Sequence, residues 1–157
     1  PRRELEERHA SALGNGRRVD PRLGVEPMDA KWLSIGAVNG LLGVAAGAFG
    51  AHFLKNRLSA DDLTTFEVAA RYQMYHALAL LAISAMAHAR PSATVSGAGW
   101  CMLLGIVLFS GSLYGLSLGG WKWLGPITPI GGLLLLAGWL MLAVAAFGAP
   151  RLPLSPS

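Results

Sequence analysis

The chain has 157 residues, of which 53% are hydrophobic and only 14% are charged, and its mean hydropathy is +0.45. Soluble domains average about 25% charged residues, so this composition argues against a water-bounded core and indicates a lipid bilayer. The isoelectric point near 9.7 does not indicate a nucleic-acid partner, because the basic residues are scattered singly between apolar blocks.

Residues 1–27 are densely charged and show no apolar period. Such a segment buries too little surface to offset its ordering entropy, which is typical of a disordered tail. Met28 stands directly before the first apolar stretch, so we predict that translation begins at Met28 and that residues 1–27 are an artefactual extension. A genuine disordered arm is the alternative. Residues 150–157 form a proline-rich C-terminal end.

The first predicted membrane span covers residues 32–54, which suits a hydrocarbon core of ~30 Å that takes ~20 helical residues to cross. The same stretch also fits a signal peptide, because Lys31 precedes an apolar core and the small residues AAGAFGA could hold a cleavage site. Only the first interpretation leaves this helix in the mature protein.

Glycines recur along this span at alternating spacings of four and three residues: Gly36, Gly40, Gly43, Gly47 and Gly50. At 100° per residue they fall within an arc of about 80°, which makes a groove along one helix face. Helices in lipid associate through close backbone approach, so this face predicts either a dimer interface or packing within the chain. Asn39 lies beside the arc and is expected to hydrogen-bond across helices or to contact a substrate.

A long helix is predicted over residues 60–89, capped by Ser59, with its membrane-spanning part at about 70–89. A candidate polar cluster marks the start of that span and the end of the first one: His52, Arg71, Tyr72, Gln73 and His76. Amphipathic aromatic and basic side chains are favoured in the headgroup layer. The two histidines could meet as a haem or metal site, although a pair with no carboxylate within the spans is a weak ligand set.

The third and fourth spans are predicted at about 98–118 and 130–149. Gly111 and Gly115, with Gly119, make a shorter glycine groove on the third span. Cys101 lies in the apolar stretch of this span, where it is expected to be a small buried hydrophobe. A single cysteine excludes an internal disulfide. The two spans are joined by a tight turn with interfacial tryptophans and a candidate structural turn formed by Pro126, Pro129, Gly131 and Gly132.

These segments predict an all-α membrane protein, an up-down four-transmembrane-helix bundle with short loops over residues 28–149. An even number of spans places both termini on one side. If the arginines of residues 1–27 are counted, the positive-inside rule favours cytoplasmic termini; without them the balance decides nothing.

The spans offer little for catalysis or driven transport. They contain no paired carboxylates and no serine in a nucleophile elbow, so hydrolytic chemistry is disfavoured. Proton-driven transport usually places an ionisable residue at depth, whereas the histidines here lie near span ends. A passive transporter or channel is left open.

Three motifs resemble a small family of integral membrane proteins: GAFGAH at 47–52, YQxxHAL at 72–78 and PITPIGG at 126–132. The family is catalogued as domain of unknown function 423, or uncharacterised protein family 0382, and includes transmembrane protein 256-like proteins. The resemblance covers about 28–149 and implies four retained spans in a bacterial inner membrane. It implies no catalytic residue and no cofactor, and it singles out His52, Tyr72 and His76, which we expect to form one hydrogen-bonded knot.

We therefore expect a structural or accessory membrane protein that packs through its glycine faces in the lipid bilayer, with other membrane proteins or a homo-oligomer as partners. The alternatives are a component of a passive transporter or channel and a haem or metal carrier.

Overall fold

The computed structural model describes residues 30–148, and every regular element within that range is helical. Helix α1 spans Ala30–Phe49 and continues into a π-helical turn at Gly50–Leu54. Helix α2 spans Ala60–Ala89, α3 spans Ala93–Gly119, and α4 spans Ile127–Phe147 after a short 3₁₀ turn at Lys122–Leu124. The all-α prediction is confirmed. The predictions for residues 1–27, for a start at Met28 and for residues 150–157 lie outside the described residues.

Serine caps fix where the two middle helices begin. The backbone N–H of Asp62 donates to Ser59 Oγ at 3.1 Å, which satisfies one of the free donors at the start of α2. Ser92 caps α3 in the same way, by accepting from the N–H of Val95 at 3.2 Å. Because of this cap, α3 begins five residues before the predicted span, at Ala93 rather than 98. Gly120, with φ +62°, ends α3 in the left-handed conformation that favours glycine.

The predicted structural turn at Pro126–Gly132 is wrong for most of its residues. Only Pro126 precedes α4, whereas Pro129, Gly131 and Gly132 lie in the first turns of that helix. Proline is tolerated there because the first helical N–H groups have no intrahelical partner. The chain reverses direction earlier, from Gly120 to Pro126.

Three helical segments within residues 30–148 are long and apolar enough to cross a membrane: Ala30–Leu54, Ala93–Gly119 and Lys122–Phe147. Helix α2 is as long but is not among them. Its first twelve residues carry four charged side chains: Asp61, Asp62, Glu67 and Arg71. The stretch after them, 72–89, carries no charged side chain, but Gln73, His76 and His88 lower its hydropathy.

Helices adjacent in sequence pack antiparallel, with side chains seated against glycine backbone. A Cβ placed on Gly36 would lie 2.8 Å from Leu81, and one on Gly43 would lie 3.3 Å from Met74, further back along α2. On the other side of the molecule, Gly105 receives Leu135 and Gly138 receives Met102. Extensive packing therefore joins α1 to α2, α2 to α3 and α3 to α4.

A continuous apolar core fills the half of the molecule near the α2–α3 connection. Its fully buried large side chains are Trp32, Leu80, Ile83, Val95 and Met102. The Trp32 ring lies against the backbone of Gly99, meets Trp100 edge-on at 5.5 Å between centroids, and has the Lys31 ammonium 4.4 Å from its centre. The ammonium over the ring adds a cation–π attraction at the start of α1.

Gly131→Ala tests the closest helix contact. A methyl group there would overlap the backbone of Leu108 and Phe109, which cannot move without separating α3 from α4. We expect a loss of about 1–3 kcal/mol in the free energy of unfolding, measured by titration with denaturing detergent. The control is Gly111→Ala, where no described atom lies within 4 Å of the added methyl group and the change should stay within about 1 kcal/mol. Equal effects of the two substitutions would contradict this packing.

Candidate functional site

The structure divides the five residues of the predicted polar cluster. Gln73 and His76 are buried between helices, whereas Arg71 and Tyr72 are exposed on α2 and His52 is exposed on the π-helical turn that ends α1. Gln73 and His76 share the buried face of α2 because residues three apart on a helix lie on one side of it. The side chains of Gln73 and His76 therefore have hydrogen-bond partners on neighbouring helices.

Gln73 links three helices through one side chain. Its Nε2 donates to the backbone carbonyl of Asn39 on α1 at 3.2 Å, and its Oε1 accepts from the hydroxyl of Tyr114 on α3 at 2.9 Å. The Tyr114 ring also packs against Phe66 with the centroids 4.9 Å apart. A buried amide in an apolar bundle must find such partners, because an unsatisfied polar group is costly there.

His76 links α2 to α4. Its Nδ1 lies 2.7 Å from the backbone oxygen of Tyr72, and its Nε2 accepts from the indole N–H of Trp139 at 3.2 Å. A carbonyl oxygen only accepts, so the first contact requires the proton on Nδ1 and leaves the Nε2 lone pair for the indole. Both ring nitrogens are thereby engaged in the neutral tautomer.

The expected knot of His52, Tyr72 and His76 is not formed as such. Tyr72 contributes its carbonyl and a ring 5.9 Å from that of His76, whereas His52 makes no hydrogen bond to either residue in the part of the chain that the structure describes. Residues 30–148 also contain no group of three or more potential metal ligands. Haem or metal ligation by His76 would require displacing Trp139 or the Tyr72 carbonyl.

The predicted glycine face of α1 has two parts. Gly36, Gly43 and Gly50, spaced at seven residues, are buried against α2. Gly40 and Gly47 lie beside them, and a Cβ on either would meet no described atom within 4 Å. Within-chain packing therefore accounts for only part of this face.

Asn39 and the shorter glycine groove differ from expectation. The Asn39 side chain donates to Ile35 in its own helix at 2.9 Å, so the contact across helices is made by its backbone. Gly115 faces Leu124, and Gly119 faces Trp121 of the α3–α4 turn, whereas Gly111 is open. The turn that follows α3 therefore covers the groove at Gly115 and Gly119 but not at Gly111.

Sequence reasoning missed four residues that hydrogen-bond between helices. Tyr114 and Trp139 are the partners of Gln73 and His76, and Ser112 pairs with Thr128 at 2.7 Å between their hydroxyl oxygens, which joins α3 to α4. A hydrogen-bonding side chain inside an apolar span could have indicated each of these residues. The sequence does not show, however, which neighbouring helix each side chain faces. The arrangement ties helices together and presents no acid–base pair for chemistry.

Comparison with known proteins gives consistent matches. A family model described as "Protein of unknown function (DUF423)" matches residues 46–132. A UPF0382 membrane protein of Staphylococcus saprophyticus subsp. saprophyticus is 49% identical over 116 residues, covering 74% of this chain and 96% of its own length. The UPF0382 membrane protein YwdK of Bacillus subtilis is 44% identical over 116 residues, covering 73% and 94%. No solved structure matches this chain significantly.

The Gln73–Tyr114 hydrogen bond can be measured by a double-mutant cycle. With Gln73→Leu, Tyr114→Phe and the double variant, we expect a coupling energy of about 0.6 kcal/mol, and at most about 1.7 kcal/mol, in detergent unfolding titrations. Asn39→Ala should cost less than Gln73→Leu, because it leaves the carbonyl that accepts from Gln73 in place. A coupling energy of zero would mean that the contact does not stabilise the bundle.

Proposed function

This chain belongs to the DUF423 family, whose relatives are named UPF0382 membrane proteins, and from that premise we propose that it is a non-enzymatic, four-span accessory protein of the membrane that assembles laterally with a second copy of itself. The observation that carries this proposal is the open backbone of α1 at Gly40 and Gly47.

The four-span, up-down arrangement requires α2 to cross the bilayer with its neighbours. Helix α2 packs against both α1 and α3, each of which is apolar enough to span, and its buried face includes Ala69, Leu80 and Ile83. Its 30 residues rise ~45 Å, longer than a ~30 Å hydrocarbon core. The surplus length lets the charged first turns extend into the headgroup layer while the part after Ala70 crosses.

The proposed location is the bacterial inner membrane with both termini in the cytoplasm. This orientation requires the alternative in which residues 1–27 are a genuine arm, because their arginines then join Lys31 and Arg90 on one side of an up-down arrangement.

The edge of α1 has the features that a symmetric helix pair needs. Gly40 and Gly47, two turns apart, form two shallow depressions in the helix surface. The neighbouring side chains of Leu41 and Val44 project from it and are 69% and 62% exposed. Depressions and projecting side chains on the same helix make a self-complementary surface, as a two-fold interface requires. In lipid the association energy comes from close backbone contact, which only such small residues allow.

The packed interior favours assembly over passive transport. The half of the bundle near the α2–α3 connection is filled by Trp32, Ile83 and Met102, and the interhelical hydrogen bonds of Gln73 and His76 are confined to the opposite half. A passive pathway would need polar groups or water along its length. The polar side chains of Gln73 and His76 are instead hydrogen-bonded to neighbouring helices.

Cysteine labelling tests the topology. In a Cys101→Ala background, Arg57→Cys and Trp123→Cys should react with an impermeant maleimide from one side of the membrane and Arg90→Cys from the other. Labelling of Arg57→Cys and Arg90→Cys from the same side would show that α2 does not cross, because these positions flank that helix.

Self-association is tested in lipid nanodiscs or bicelles by measuring the dimer dissociation constant. The double variant Gly40→Leu/Gly47→Leu should raise that constant by about tenfold or more, because the added side chains prevent close approach. Gly111→Leu, which is equally open but lies on α3, should leave it unchanged.

Two results would contradict the proposal. One is a wild-type chain that stays monomeric at high protein-to-lipid ratio, and the other is a dimer that the α1 substitutions do not weaken. Crosslinking of Gly40 neighbours only to a different membrane protein would assign this edge to that partner instead of a second copy.

A further inference from the structure

An aromatic groove of ≈ 790 Å³ opens on the outer surface between α2, α3 and α4. Tyr72 and Tyr75 form its α2 side, Phe109 contributes from α3, and Pro129 and Trp139 mark the two ends of its α4 side. Helix α1 contributes no lining residue. The groove is thus separate from the α1 edge proposed for self-association.

One α4 position in the lining, Gly132, carries no side chain and widens the groove. A Cβ at Gly132 would lie 3.7 Å from the Phe109 ring, an ordinary contact distance, so the glycine leaves that edge of the ring uncovered. On the opposite wall, the Tyr72 ring packs on the Phe109 ring with centroids 4.7 Å apart, which fixes the position of the Phe109 ring. Leu133 and Leu136 line the rim and Leu135 is buried beneath.

The lining chemistry suits an apolar chain better than a polar ligand. His76 lies in the lining, but both of its ring nitrogens are engaged, one by the Tyr72 carbonyl and one by the Trp139 indole. The lining therefore offers no free imidazole nitrogen for a metal or a polar head. The two tyrosine hydroxyls are its remaining polar side-chain groups, and amphipathic aromatics of this kind are favoured close to the headgroups.

The length of the groove matches half a bilayer. From Pro129 to Trp139 the helix advances ten residues, which is ~15 Å. Half of a ~30 Å hydrocarbon core is also ~15 Å. Pro129 lies in the first turn of α4, next to the connection from α3, so the groove begins at one membrane surface and ends near mid-depth.

We propose that this groove is a lipid-binding site that holds one acyl chain of a phospholipid from the leaflet next to the α1–α2 and α3–α4 connections. The inference rests on the proposed four-span topology, because only in that topology does the groove face a leaflet along its length. The acyl chain lies over Phe109 and Leu135 and reaches Trp139. There it shields the His76–Trp139 hydrogen bond from competing water. The headgroup stays in the interface beside Tyr72 and Tyr75.

Native mass spectrometry of the full chain tests this site, with palmitoyl-oleoyl phosphatidylglycerol as the probe in mixed micelles. We expect the wild-type monomer to retain one phospholipid through detergent exchange. Gly132→Leu, whose side chain extends into the groove, should reduce the retained fraction by about tenfold. The control Gly111→Leu should retain lipid like the wild type, since it lies outside the lining.

A second variant keeps the test decisive if Gly132→Leu misfolds, as judged by its circular dichroism. Leu136→Trp fills the groove from an exposed rim position and should lower lipid retention in the same way. Retention that neither filled-groove variant lowers, or a wild-type chain that holds no phospholipid or holds a prenylated quinone instead, would overturn the proposal. A monomer that lacks lipid leaves the α1 dimer test unaffected, and the cysteine labelling reports separately on topology.

Discussion

Close approach of helix backbones is the constraint on which this structure depends. Between helices in a bilayer there is little hydrophobic drive, because lipid tails are as apolar as the side chains they would replace. Dispersion at short range must hold the bundle, and it requires positions where one helix carries no side chain. Gly36 and Gly43 provide them between α1 and α2, and Gly105, Gly131 and Gly138 provide them between α3 and α4. Each receives a bulky side chain or the backbone of its neighbour.

The interior differs between its two ends along the helix axes. Near the α2–α3 connection the helices meet through apolar packing around Trp32 and Met102, whereas in the opposite half Gln73, His76 and Ser112 make hydrogen bonds between helices. Hydrogen bonds are directional and fix the register of neighbouring helices, which close packing between smooth apolar faces does less well. The two halves therefore contribute different things: one supplies contact area and the other supplies specificity of alignment.

Two of the outer surfaces that stay open within residues 30–148 differ in kind. The α1 edge is shallow, with open backbone at Gly40 and Gly47, which suits another helix. The groove between α2, α3 and α4 is deeper and aromatic, which suits a flexible chain. The proposed second copy and the proposed lipid would therefore occupy separate surfaces.

Much of the fold could be predicted from the chain alone, because helix length, apolar composition and capping residues are local properties. The cap at Ser59 and the long α2 helix from residue 60 to 89 follow from local sequence. The site was only partly predictable. Gln73 and His76 stood out as polar residues at the start of a span, but their partners lie 41 and 63 residues further along, at Tyr114 and Trp139. Proline and glycine at 129–132 resembled a turn because those residues break soluble helices, although Pro129 is harmless in a first turn.

By itself, the sequence determined that this is a helical protein for a bilayer and that its glycines cluster on one face of α1, since 3.6-residue periodicity and hydropathy need no partner to be read. Only the tertiary structure decided which of those glycines are used within the chain, because that depends on the rotation of α1 against α2. It also decided that His52 and His76 do not pair, since α2 turns His76 towards α4. Rotation about a helix axis is set by contacts between distant segments, which composition and spacing do not encode.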